Sequence, residues 1–131
     1  MVSNKQIEPS DSNEIDSAVE EEDCLPQSLS ISFDEYPELN EIGGSAWVSF
    51  PEQFVHVLVV CLAEQHWIAV WKICTHGTCD VEWDESLSVI RCPCHNSLFD
   101  IDGRVLEGPA ERDLKEYSVC REGNMLFLSS V

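Results

Sequence analysis

Two apolar runs frame this chain. VHVLVVCL at 55–62 and WIAVWKIC at 67–74 are rich in β-branched and aromatic residues, which suit a pleated, packed surface. Four residues, Ala63-Glu64-Gln65-His66, separate them, so the pair predicts a hairpin. In the second run Trp67, Ala69, Trp71 and Ile73 alternate onto one face, and Ile68, Val70 and Lys72 onto the other. The rhythm repeats downstream. CDVEW (79–83) and LSVIRC (87–92) predict a second strand pair around Asp84-Glu85-Ser86. LFDIDGRVLEGPA (98–110) reads as strand, Asp102-Gly103 turn, strand and a Gly108-Pro109 loop; LKEYSVCRE and MLFLSSV close the chain as a hairpin around Gly123-Asn124. Upstream, Tyr36-Pro37 predicts an extended or turn dipeptide, and Gly43-Gly44 a turn. No stretch holds a helical period. The expectation is an all-β, hairpin-rich domain over 30–131.

Residues 1–29 break the pattern. They carry eight acids and one lysine among Ser, Asn, Gln and Pro, and predict an acidic disordered tail with no fold of its own. The whole chain has 131 residues, 25 acids and 7 bases, a formal net charge of -18. That charge argues against nucleic acid and anionic membrane surfaces, and favours solubility or a partner with a basic docking face. The longest apolar run is far short of the roughly 20 residues of a spanning helix. The N-terminus has neither an apolar signal core nor twin arginines, which points to the cytoplasm.

Seven cysteines are present, and four cluster in CTHGTC (74–79) and CPCHNS (92–97). Each stretch follows a predicted strand and holds two cysteines and a histidine. In a cytoplasmic chain such clusters bind metal more often than they staple. Thiolate with imidazole suits zinc or an iron–sulfur cluster. A zinc-stabilised interaction module would need four ligands on one tetrahedral ion, but a zinc finger orders its cysteines before its histidines and adds a helix. Haem attachment needs C-x-x-C-H, and Cys92-Pro93-Cys94-His95 is one residue short. The thioredoxin C-x-x-C is absent.

The order Cys-x-His … Cys-x-x-His, with the FD, DG and GPA that follow, closely resembles the Rieske iron–sulfur proteins over about 36–131. The resemblance implies antiparallel sheets or a β-sandwich carrying a small cluster-binding subdomain of two loops, about 73–110. It implies one [2Fe-2S] cluster, with Cys74 and Cys92 on one iron and His76 and His95 on the other. Neutral imidazoles leave the oxidised centre without net charge, so it accepts an electron more readily than a four-thiolate cluster: about -150 to +300 mV against about -400 mV. Outward imidazoles can also couple proton release to the electron. Cys79 and Cys94 resemble the disulfide pair of quinol-oxidising Rieske subunits, which hints at an oxidising compartment or a membrane-associated complex. Ser97 corresponds to a residue that hydrogen-bonds a sulfide, and Gly108 and Pro109 to the loop beside the cluster.

The departures are specific. Gly77 and Thr78 replace the family's apolar residue and glycine after the first histidine, which weakens the case for quinol oxidation. Asn96 replaces a glycine, and Asn tolerates a left-handed backbone. Phe99 replaces the tyrosine of high-potential members, which predicts a lower potential. The expected function is one-electron transfer by a component of an oxidoreductase system, not an enzyme on its own, serving redox protein partners. A soluble Rieske ferredoxin feeding an oxygenase is the alternative. Remaining residues take plain readings: His56 a satisfied strand histidine, His66 a solvated loop residue, Cys61 and Cys120 buried apolar residues, Cys24 a free tail thiol, Tyr117 a packing residue, and Trp47, Trp67, Trp71 and Trp83 core.

Overall fold

The computed structural model describes residue 24 and residues 29–130. Most of the predicted tail therefore lies outside the described residues. Two short 3-10 turns, Pro37–Asn40 and Pro51–Gln53, begin at prolines, where a missing N–H costs nothing. The other elements are strands: β1 (Leu29–Ser32), β2 (Ser45–Phe50), β3 (Val55–Ala63), β4 (His66–Trp71), β5 (Glu82–Asp84), β6 (Val89–Arg91), β7 (Leu98–Phe99), β8 (Val105–Glu107), β9 (Glu116–Glu122) and β10 (Met125–Ser130). They form a six-stranded sheet, β1-β10-β9-β4-β3-β2, and a four-stranded sheet, β5-β6-β7-β8; every pairing is antiparallel. No helix among the described residues is long and apolar enough to cross a membrane.

The continuous apolar run of β3 has a packing reason. Val57 and Val59 enter one core with Ile31, Val48, Leu126 and Leu128, while Leu58 and Val60 enter a second with Val81, Ile90 and Phe99. A strand covered on both faces reads as uninterrupted hydrophobicity. Alternation in β4 divides the same way: Trp67, Ala69 and Trp71 face the first core, Ile68 and Val70 the second. The first core takes residues from both edge strands, so the large sheet curls around it. The second holds the four-stranded sheet against the face of the large one.

Three readings are corrected. Ala63 pairs with His66, so the connection is two residues, Glu64 and Gln65, with Gln65 at φ 61°, and exposed His66 opens β4. Cys120 forms a disulfide with Cys24, across 96 residues, rather than being a free apolar residue; Cys24 is thus not a free thiol. Trp47 is 47% exposed because its indole N–H donates to the Val81 carbonyl at the seam between the sheets, instead of burying in a core. Tyr117 and Cys61 are buried, and His56 Nδ1 lies 2.9 Å from Ser49 Oγ, as expected of a satisfied strand histidine.

Candidate metal centre

Two loops rise from the small sheet's end of the molecule, and both close the same way. The Cys74 N–H donates to the Cys79 carbonyl (2.8 Å), and the Cys92 N–H donates to the Ser97 carbonyl (2.9 Å). In each, a cysteine amide reaches a carbonyl five residues on. The neck of the first loop is held by the Ile73–Asp80 bridge, the Val81 N–H donated to the Lys72 carbonyl (2.7 Å) and the Lys72–Asp80 ion pair (3.3 Å). In the second, Asn96 sits at φ 66° and its N–H donates to the Cys92 carbonyl, so the left-handed turn expected there is present.

This architecture separates the four expected ligands by type. Cys74 and Cys92 are each 2% exposed and lie in the second core. His76 and His95 are exposed, their rings 5.0 Å apart and nearly perpendicular. Burial pushes the Cys92 thiol above its ordinary value, and the neighbouring Cys74 adds to that; the N–H groups of Cys94 and His95 pull it the other way. A disulfide joins Cys79 to Cys94 and ties the two loops together. Two thiols within and two imidazoles without fit a two-metal group with a different donor pair at each end.

Supporting residues fall into place around these loops. Ser97 is fully buried, and its Oγ accepts the Ala110 N–H at 3.0 Å, which leaves the hydroxyl proton free to point elsewhere. That contact ties the Gly108-Pro109-Ala110 loop, with its cis peptide at Gly108-Pro109, to the second cysteine loop. Phe99 is fully buried opposite Ile90, in the same cluster as Cys74 and Cys92. Gly77 is exposed, and a side chain there would meet nothing within 4 Å.

Sequence reading missed two links. The Thr75 hydroxyl donates to the Arg112 carbonyl at 2.6 Å, and the Leu114 N–H donates to the Gly103 carbonyl at 2.7 Å. Together they lash the segment before β9 to the first loop and to the Asp102-Gly103 turn. Neither leaves a local signal, because both join residues far apart in sequence.

The family model of the Rieske [2Fe-2S] domain matches residues 25–118. The cytochrome b6-f complex iron-sulfur subunit of Chlorobaculum tepidum is 43% identical over 61 residues, 47% of this chain and 34% of that protein. The chain thus matches only about a third of that relative's length. The plasma membrane Rieske protein PetC3 of Synechocystis PCC 6803 superposes with a TM-score of 0.61 at 27% identity, covering 79% of this chain and all of that one. The ferredoxin of carbazole 1,9a-dioxygenase from Nocardioides aromaticivorans superposes with a TM-score of 0.63 at 18% identity, covering 77% of this chain and 94% of that one; it shares the fold.

Proposed function

We propose that this chain, which belongs to the Rieske [2Fe-2S] family, passes single electrons between redox protein partners, with Cys74 and Cys92 holding one iron and His76 and His95 the other. The family's cofactor is one [2Fe-2S] cluster, which when bound supplies a one-electron couple. The observation that carries the assignment is the split of donors: two buried thiols in one core and two exposed imidazoles at its rim.

The chain's own residues divide the work. Buried Cys74 and Cys92 exclude water on the thiolate side. Exposed His76 and His95 form the edge that a partner can approach. Cys79–Cys94 and the Ser97–Ala110 contact hold the loops in register. Relatives that are subunits of electron-transfer complexes support a role as a component of a larger redox system.

The partner surface is proposed to be basic, since the chain carries a net charge of -18. Two disulfides favour an oxidising compartment over the cytoplasm that the N-terminal sequence suggested. The disulfide between the loops also favours a high-potential, complex-associated role over a soluble ferredoxin.

The test is the reduction potential across pH, on protein shown to hold iron and acid-labile sulfide. A positive potential that falls as pH rises is expected. A low potential, flat near neutral pH, would move the chain to the ferredoxin class. A sample that binds zinc in place of iron and shows no redox wave would end the electron-transfer reading.

A further inference from the structure

At the seam between the two sheets, beside the neck of the first cysteine loop, lies a cleft of about 440 Å³. Its walls include three aromatic residues, Tyr36, Trp47 and Trp83, and two acids, Glu38 and Glu82; buried Leu58 lies beneath. The redox reading uses none of them. Aromatic faces present negative quadrupoles, and carboxylates flank them, so the lining attracts a cation twice over. The chain already seats a cation against one of these rings: Lys72 Nζ lies 5.5 Å from the centre of the Trp47 ring.

The walls are fixed before any ligand arrives. The Trp47 indole N–H donates to the Val81 carbonyl at 2.9 Å, spanning the seam. Tyr36 is half-buried where the chain enters the 3-10 turn at Pro37. Trp83 is anchored in β5 opposite Ile90, yet its indole N–H is buried and has no acceptor among the described residues. A buried donor without a partner costs stability, and native proteins hold few of them.

We infer that this cleft takes an arginine side chain from a basic protein partner. A planar guanidinium stacks on indole and pairs with carboxylates at its edge, which a compact ammonium does less well. A net charge of -18 raises the local concentration of such a partner. This goes beyond electron transfer, since the cleft would bind its ligand in either oxidation state.

Calorimetric titration of the full-length, cluster-loaded protein with N-acetyl-arginine amide tests it, with the uncharged N-acetyl-citrulline amide as shape control. Saturable binding of the arginine compound is expected, with the citrulline compound at least about tenfold weaker. Trp47→Leu and Glu82→Gln should each weaken binding by about two- to fivefold, the factor that one cation contact carries. Circular dichroism and the visible spectrum would show that both variants are folded and loaded. Equal binding of citrulline, unchanged affinity in both variants, or no heat at high ligand concentration would overturn the inference. Tighter binding of tetramethylammonium than of the arginine compound would also overturn it, in favour of a free quaternary ammonium ligand. The reduction potential is measured separately, so either proposal can fail alone.

Discussion

Phe99 is where one side chain can be asked to change the redox behaviour. It is fully buried in the cluster that contains Cys74 and Cys92, so a hydroxyl added there is shielded from water and, on the Rieske assignment, is available to a ligand sulfur. A hydrogen bond to a charged acceptor is worth about 1.5 kcal/mol, which for one electron is on the order of 60 mV. Phe99→Tyr should raise the midpoint potential by that order, and an unchanged potential in voltammetry would refute the role. Ser97→Ala acts oppositely. It removes the acceptor of the Ala110 N–H and, on the Rieske assignment, a hydroxyl donor to the cluster, so both stability, by about 1 kcal/mol, and potential should fall. Urea denaturation and voltammetry on the same variant separate the two effects. Asn96 is a third case: at φ 66° a β-branched residue is strained, so Asn96→Val should cost about 1–2 kcal/mol while Asn96→Gly is tolerated.

Elements were legible where the signal is local. Alternation in WIAVWKIC divides β4 between two cores as the sequence indicates, and the β9–β10 hairpin stands where Gly123-Asn124 placed it; the β5–β6 turn instead runs over 85–88, because Asp84 pairs with Val89 inside the ladder. The expected ligands come from spacing within two short loops, and the structure buries both of those cysteines and exposes both of those histidines. What escaped is long-range. Cys24 meets Cys120 across 96 residues, Thr75 meets Arg112, and Trp47 leaves the core because a carbonyl 34 residues away accepts its N–H. The two cysteine loops depend on one another through Cys79–Cys94, which closes a loop of 15 residues. Chain-entropy arguments give such a link about 3 kcal/mol. The double variant Cys79→Ser/Cys94→Ser should lose stability of that order and release iron faster, followed by the decay of visible absorbance. In β9, Tyr117 adds a pH dependence. Burial raises its phenol above its ordinary value of 10.0, so the folded state keeps the proton longer than the unfolded chain. Its contribution is fully present below pH 10 and is lost as pH rises through the raised value. Tyr117→Phe should remove that part of the alkaline loss in a pH series of denaturation midpoints, whereas an identical alkaline limb would assign the loss to other groups.

Over the whole molecule, charge and chemistry occupy different places. The exposed residues within the two cysteine loops, His76, Gly77, Thr78, Pro93, Cys94, His95 and Asn96, include no acid, although the chain carries 25. A partner can therefore be attracted at long range by the acidic surface and still meet a neutral edge at close range, where desolvating carboxylates would oppose contact. Long-range attraction is screened over about 8 Å at physiological ionic strength, and steering of this kind multiplies association rates by about 10-fold or more. The second-order rate of electron transfer to a basic soluble haem protein should fall steeply with added salt, while the unimolecular rate within the complex stays nearly constant. Deleting residues 1–23 removes eight acids and one lysine but retains Cys24. If the acidic segment contributes only to the overall field, the truncated chain keeps its melting temperature and potential, and stopped-flow mixing shows a shallower salt dependence. A lost melting temperature would mean instead that the segment packs on the domain, and an unchanged salt slope would place the steering charge wholly on residues 24–131.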